Sequence, residues 1–356
     1  MKEDRPPLNV LVPGVGGNVS QGILKALAAS TLPCRVIGAC ISPMSMGLYT
    51  VDKALISPQA KDGRFVDWLM QTCRAERVDA VLSGVEPVLE VLSANATRLR
   101  EQTGAITVVS DPATLAIGND KLRTCQWLRE QGLNYPHFAD ASDPAAVEKL
   151  LAASPFPLIG KPRDGRGGEG VFMVRDRRDL EGCVKRRGYV IEEYLGDSAS
   201  EYTVGCFSDR DGNVRGSIAM WRELLHGTTY RAVVGDFPEV RAEAIRIARA
   251  LRPTGPCNVQ MRMSKGKPTC FEVNVRFSGT TALRAHFGFN DVEAALRHYV
   301  LGEPPADLPN VTRGIALRYW DEIYVDPQAV ASLEQTGALA DAKAFHTRIA
   351  DRQAKS

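Results

Sequence analysis

The sequence predicts an α/β protein that opens with a doubly wound, parallel sheet and continues as an α+β unit. Three observations carry this. Over residues 1–110, short apolar runs alternate with stretches of helical periodicity, the spacing of a parallel sheet covered by helices. A glycine turn, Gly14-Val15-Gly16-Gly17-Asn18, joins the first apolar run to the first helical stretch. From about residue 196 the runs lengthen and are separated by turns such as Asp209-Arg210-Asp211-Gly212-Asn213 and Lys265-Gly266-Lys267, which read as hairpins.

In the first part, strands are expected at 9–12, 34–40, 54–56, 79–83 and 106–109, with helices at 19–29, 65–75 and 86–101. Asp111-Pro112 suits an N-cap followed by proline at the first helical position. A second helix is expected at 121–131, ending at Gly132. Strands at 156–161 and 171–174 flank the glycine-rich turn Asp164-Gly165-Arg166-Gly167-Gly168-Glu169-Gly170, followed by a helix at 179–186 and a strand at 189–194. Further strands are expected at 201–207, 214–221, 257–263 and 268–274, with an amphipathic helix at 238–251. The stretch opening with Pro304-Pro305 offers one strand at 313–319 and then charged helical residues. These changes divide the chain into 1–110, 111–195, 196–303 and 304–356.

Composition bounds the function. The chain has 356 residues, 44% hydrophobic and 24% charged, the ordinary globular mix, which argues against disorder. A net charge of +2 argues against a nucleic-acid partner. No run approaches the length of a membrane span, and the apolar run after the charged start is too short for a signal peptide. The eight cysteines are scattered without a CxxC pair, which reads as reduced thiols in a cytoplasmic protein and not as a zinc site.

Four features carry candidate chemistry. The Gly14–Asn18 turn resembles a dinucleotide fingerprint but lacks the third glycine at its usual position. Strand two ends in Cys40-Ile41-Ser42-Pro43, with no acidic residue to hold a ribose. A nicotinamide cofactor is therefore not expected; the turn is read as a tight packing turn or a substrate site at a helix N-terminus. Glu86, on the loop after strand four, would line the same edge. Lys161 precedes the glycine loop 164–170, a combination that can close over a polyphosphate. Between positions 161 and 187 there are nine Lys/Arg and five Asp/Glu, a local surplus of four. The backbone of Glu193 to Leu195 offers an edge for an adenine, and Glu201 an acceptor for ribose hydroxyls. Finally, Gln260, Glu272 and Asn274 on adjacent strands share one face, since 272 and 274 have the same parity. One carboxylate and two amide oxygens suit Mg²⁺, and Arg276 keeps the parity and can stabilise a transferring phosphoryl group.

Taken in order, these residues resemble the ATP-grasp superfamily, close to one ATP-grasp half of the carbamoyl-phosphate synthetase large subunit. The similarity spans about 1–303. It includes Asp120-Lys121, Lys161 with its loop, Glu192-Glu193-Tyr194-Leu195, Glu201, and Thr254-Gly255-Pro256-Cys257-Asn258-Val259-Gln260. It ends in Glu272-Val273-Asn274-Val275-Arg276, with valine where the family carries proline, and Phe277-Ser278-Gly279-Thr280-Thr281.

The resemblance implies an ATP-grasp fold with an N-terminal Rossmann-like, pre-ATP-grasp parallel-sheet domain at 1–110. The lid subdomain would be 111–195, the large subdomain with the metal site 196–303, and the C-terminal tail 304–356. It implies that Lys121 and Lys161 hold ATP phosphates and that Gly165, Gly167 and Gly168 belong to a mobile lid. Glu192 and the backbone of Glu193 and Leu195 would contact adenine, and Glu201 the ribose. Gln260, Glu272 and Asn274 would ligate Mg²⁺ (or Mn²⁺), and Arg276 would contact the γ-phosphate and acyl phosphate. The implied partners are ATP and small carboxylate and amine substrates, with a homodimer compatible and no membrane or nucleic acid. The implied reaction is ADP-forming carboxylate–amine ligation through an acyl phosphate. Its alternatives are a kinase-like or carbamoyl-phosphate-like enzyme that releases the acyl phosphate, and a non-catalytic ATP-binding regulatory protein. His226, Arg222, Arg231 and Arg284 are candidate substrate contacts.

Overall fold

The computed structural model describes residues 3–165, 167–196 and 200–347. Arg166 of the glycine loop and residues 348–356 lie outside the described residues. The chain opens with β1 (Leu8–Pro13), α1 (Asn18–Ala29), β2 (Cys34–Cys40), β3 (Lys53–Ile56), α2 (Phe65–Ala75), β4 (Ala80–Val81), α3 (Glu86–Thr103) and β5 (Ile106–Thr107). These strands lie in the order β3-β2-β1-β4-β5, all parallel. Val10, Leu11 and Val12 of the central β1 are fully buried, as expected where helices cover both faces and the strand reads as a continuous apolar run.

The strand order reverses between β1 and β4, and the crevice beyond their carboxyl ends is where such sheets take ligands. Gly14 sits there with φ +79 and donates its N–H to Ala39 O at 2.7 Å. A Cβ at Gly14 would lie 2.3 Å from Val85 Cγ2. Both the left-handed backbone and the close approach require glycine.

Next come α4 (Pro112–Asn119) and α5 (Lys121–Glu130). Asp111 caps α4 by accepting from Ala113 and Thr114 N–H at 2.9 and 3.0 Å, and Asp120 caps α5 in the same way. Then follow β6 (Phe138–Asp140), α6 (Pro144–Ala153), β7 (Leu158–Pro162), β8 (Phe172–Val174), α7 (Arg177–Val184) and β9 (Tyr189–Glu193). These strands form a small antiparallel sheet, β6-β9-β7-β8. It has its own core, in which Val147, Leu150, Leu180 and Cys183 of the helices meet Leu158 and Ile191. Neither β6 nor α6 is among the expected elements, although Asp143-Pro144 repeats the Asp-Pro start of α4.

The third unit holds β10 (Glu201–Ser208), β11 (Val214–Leu225), β12 (Thr228–Val234), α8 (Pro238–Leu251), β13 (Gly255–Ser264), β14 (Lys267–Asn274), α9 (Thr281–His286) and α10 (Asp291–Ala295). After it come β15 (Gly314–Leu317), β16 (Tyr324–Val325), α11 (Pro327–Thr336), β17 (Ala338–Ala340) and β18 (His346–Thr347). The central sheet is antiparallel, ordered β14-β13-β10-β11-β12-β15. β11 runs past the expected end at 221, because His226 and Gly227 (φ 49 and 70) make a two-residue hairpin turn. α8 buries Val240, Ala244, Ile247, Ala248 and Leu251 at helical spacing. The stretch from 304 is shared between three sheets: β15 edges the central sheet, β17 pairs antiparallel with β3 of the first, and β16 and β18 pair with each other.

All eight cysteines are free, and seven are buried. Among the described residues no helix is long and apolar enough to cross a membrane.

One buried ion pair ties the loop after β14 to the sheet. Arg284 and Asp291 are both 0% exposed and meet at 2.6 Å. The same guanidinium donates to Asn258 Oδ1 on β13 at 3.2 Å and to the Ser278 hydroxyl at 3.2 Å. Gly205 makes the room, since a Cβ there would meet Arg284 at 2.5 Å. Removing one member leaves a charge in an apolar interior. Asp291→Ala is therefore expected to lower unfolding free energy by about 3–5 kcal/mol, read from urea denaturation followed by circular dichroism.

Candidate functional site

The start of α5, the strands β7 and β9 of the small sheet, and β10, β11, β13 and β14 of the central sheet converge on a cavity of about 260 Å³. Lys161 enters it from β7 with only 6% exposure. Its ammonium pairs with Glu192 of β9 at 2.7 Å, donates to Phe271 O of β14 at 3.3 Å, and lies 5.6 Å from the Phe271 ring centre. Burial pulls its pKa down, but Glu192, Cys125 and Glu272 more than offset this, and the net shift is upward. Lys161 is a permanently charged lysine at neutral pH.

Lys121 is the first residue of α5. Its N–H donates to Arg163 O at 2.9 Å and its ammonium to Gly165 O. Arg163 in turn pairs with Asp120 at 2.5 Å, so the helix cap, the lysine and the root of the glycine loop are fixed together. Gly165, Gly167 and Gly168 line the cavity. The hairpin tip at Gly227 closes against the loop, and a Cβ there would lie 2.1 Å from Gly167 O.

The far end is built from β9. Glu193 donates its N–H to His137 O at 2.8 Å, and its carboxylate accepts from Ser154 and Lys265 at 2.9 and 3.1 Å. Glu192, Glu193 and the buried Leu195 all line the cavity. Cys125 adjoins Glu192 at 3.5 Å, and burial, then this carboxylate, push its thiol pKa well up.

Glu201, on β10, is 3% exposed. One carboxylate oxygen accepts from Arg222 Nε and Nη2 at 3.0 and 2.8 Å. The other accepts from Arg262 Nε and Nη2 at 3.2 and 2.8 Å. This follows from register: Thr203 opposes Gln260 and Tyr202 opposes Trp221, which sets Glu201 across from Arg262 on one side and Arg222 on the other.

A bulge between Gln260 and Met261 sets the neighbouring pair. Counted from the Lys265-Gly266 turn, where Ser264 pairs with Lys267, Glu272 would oppose Val259; the extra residue brings it opposite Gln260 instead. Gln260 Nε2 and Asn274 Nδ2 both donate to Glu272 Oε1, at 3.1 and 2.8 Å. Gln260 Oε1 accepts from Arg222 Nη2 at 2.7 Å. A hard cation here finds Glu272 Oε2 and the Asn274 amide oxygen without protein donors among the described residues, which fits an oxygen-ligated Mg²⁺.

Arg276 stands outside the cavity, where the two large sheets meet. Its Nε and Nη2 donate to Glu86 Oε1 at 3.2 and 2.6 Å, at the mouth of the first-sheet crevice. Of the four candidate substrate contacts, Arg222 alone lines the cavity. His226 is exposed on a turn, Arg231 is exposed and paired with Glu223 at 2.9 Å, and Arg284 is sealed in the buried pair described above. The pairings of Arg222 and Arg262 with Glu201, and the Phe271 ring beside Lys161, are not visible in the sequence reading.

Two family comparisons match this chain. Residues 185–323 match the family described as ATP-grasp in the biosynthetic pathway with Ter operon, and residues 11–109 match the PylC-like N-terminal domain. The likeness is therefore to ATP-grasp proteins over the central part of the chain and to a PylC-like N-terminal domain over the first sheet. It is 24% identical over 301 residues to a carbamoyl phosphate synthase large chain of Methanosarcina barkeri, covering 76% of this chain and 28% of that one. It thus spans under a third of the length of that relative. It is 29% identical over 212 residues to a probable alpha-L-glutamate ligase of Xanthomonas oryzae pv. oryzae, covering 54% and 70%. A solved N5-carboxyaminoimidazole synthetase from Staphylococcus aureus, complexed with ADP, shares the fold at TM-score 0.67 and 15% identity, covering 94% and 87%.

Burial lowers the pKa of Lys121 from the ordinary 10.5; Glu272 works against this and Lys161 adds to it. A base with a depressed pKa keeps its charge below that value and loses it as pH rises through it, here before 10.5. Metal-free ADP affinity is expected to fall in that alkaline window, and Lys121→Arg, which stays charged, to flatten the fall. Calorimetric titration of ADP across pH checks both.

Proposed function

We propose that the chain is an ATP-dependent ligase that activates a small carboxylate as an acyl phosphate, releases ADP and joins the acyl group to an amine. The observation that carries this is the convergence on one cavity of two lysines, Lys121 and Lys161, and the carboxylate of Glu272, to which Asn274 donates. Fixed positive charge and hard oxygens lining the same space suit a nucleotide polyphosphate with its cation.

In this reading the adenine lies along Glu193 to Leu195, beside Glu192. Glu201 faces the ribose, and Arg262, the more exposed of its two partners at 23% against 8%, is the one that gives way. Lys121 and Lys161 neutralise the phosphates under the loop of Gly165, Gly167 and Gly168. Glu272 and Asn274 hold Mg²⁺ (or Mn²⁺), with Gln260 bonded to the same carboxylate; the bound ion supplies charge neutralisation at the phosphates. A substrate carboxylate oxygen attacks the γ-phosphorus, the bond to the β-phosphate oxygen breaks, and ADP leaves. Arg276 stabilises the transferring group from the neighbouring crevice. The amine nitrogen then attacks the acyl carbon, inorganic phosphate departs with the acyl C–O electrons, and the nitrogen loses a proton. No protein nucleophile is needed; positioning and charge supply the rate.

The glutamate-ligase relative supports an amino acid as one substrate. A pairwise matrix of amino acids with ATP and Mg²⁺ is expected to yield ADP and phosphate in equal amounts for at least one pair. AMP as the main nucleotide product overturns the acyl-phosphate route. With that pair, Glu272→Gln is expected to cut turnover by about 10²–10³ while ADP binding persists through Lys121 and Lys161. Near-wild-type turnover removes Glu272 from the site.

A further inference from the structure

We propose that Arg222 is a built-in cation that occupies the place of a second divalent ion, so that this site binds its nucleotide with one metal. The inference rests on the nucleotide site proposed above.

The Arg222 side chain is 8% exposed and lies in the middle of the central sheet, opposite Glu201. Its guanidinium bridges Glu201 Oε1 and Gln260 Oε1. Arginine is a donor only and keeps its charge, so the Gln260 atom facing it must be the oxygen. The amide nitrogen then faces Glu272, an acceptor, at 3.1 Å. The reverse orientation sets an amide N–H₂ against a guanidinium and an amide oxygen against a carboxylate, and both contacts repel. The amide is therefore locked with its oxygen turned away from Glu272 and Asn274. For Gln260 to bind a metal shared with Glu272, its oxygen must leave Arg222.

Charge counting gives the same answer. Of the cavity's carboxylates other than Glu169 on the glycine loop, Glu192 is paired with Lys161, Glu193 with Lys265, and Glu201 with both Arg222 and Arg262. Glu272 accepts from two neutral amides and has no ion-pair partner within 4.0 Å among the described residues. Glu272 is the single carboxylate of the proposed ligand set, and one such carboxylate suits one divalent ion. A second ion on Gln260 would stand next to a guanidinium that cannot shed its proton. Nor can the guanidinium withdraw without leaving a buried Glu201 oxygen short of its donors.

The test is a count of Mn²⁺ by electron paramagnetic resonance, titrating the full chain in the presence of saturating non-hydrolysable imido-ATP. One tightly bound Mn²⁺ per chain is expected for the wild type and for Arg222→Lys, which retains the charge. Arg222→Met is expected to admit a second, bringing the count to two with spin–spin broadening. Two ions in the wild type, or one ion in both the wild type and a folded Arg222→Met, overturns the proposal. If Arg222→Met does not fold, the wild-type count alone decides. Absence of imido-ATP binding, measured in parallel by calorimetry, instead removes the nucleotide site on which this rests and takes the proposal with it.

Discussion

The structure depends on the need to pair a buried ammonium. Lys161 sits at the floor of the cavity, almost without solvent, and an unpaired charge there is intolerable. Glu192 supplies the counter-charge from its own sheet, but the remaining donor reaches the carbonyl of Phe271 on the central sheet. One side chain thus spans the two sheets and fixes the distance between them. Lys121 repeats the arrangement from the helix side, through its backbone bond to Arg163 and its side-chain bond to Gly165. The cavity is less a gap between domains than the space left around charges that had to find partners.

The same requirement explains why much of the site was legible before its geometry was known. Lysine before a glycine loop, and a Glu-x-Asn-x-Arg run at strand parity, put donor and acceptor types into order along the chain, and the structure gathers Lys121, Lys161, Gln260 and Glu272 around one space, with Asn274 bonded to Glu272. Local sequence did not disclose which residues face each other across strands. The bulge at Phe207/Ser208 shifts the count that sets Glu201 against Arg222, and the bulge at Gln260/Met261 shifts the one that sets Gln260 against Glu272. The second carries no glycine or proline to announce it, and the first is marked only by Gly216 opposite Phe207. Arg222 and Arg284 look alike in sequence, yet the first enters the cavity and the second is sealed behind it by Asp291.

Errors in the elements have simpler causes. β6 and β17 are three residues each, too short for alternation to show, and they exist because longer strands offer them an edge. α6 carries an Asp-Pro start as clear as that of α4, and α11 carries a third at Asp326-Pro327. β11 outruns its expected end and β12 is not among the expected strands, because His226-Gly227 is a hairpin turn in which histidine takes a left-handed backbone, a role its chemistry does not advertise.

A side chain links the first sheet to the strand that lines the cavity. Arg276 follows Asn274 by two residues and crosses to Glu86 at the start of α3. The buried Arg284 stands behind it, anchoring Ser278 and Thr280 to Asn258 on the strand that also carries Gln260. A shift of the loop bearing Arg276 therefore disturbs strand β13, and the reverse. This places the proposed phosphoryl transfer at the seam between a nucleotide half built from paired charges and an acceptor half built from a glycine turn. The proposed nucleotide half has little freedom to vary, because most of its charges are paired with one another. The crevice beyond Gly14 and Glu86 is bounded by turns and loops, and substrate choice is the property that such a surface can change without unpairing any buried charge.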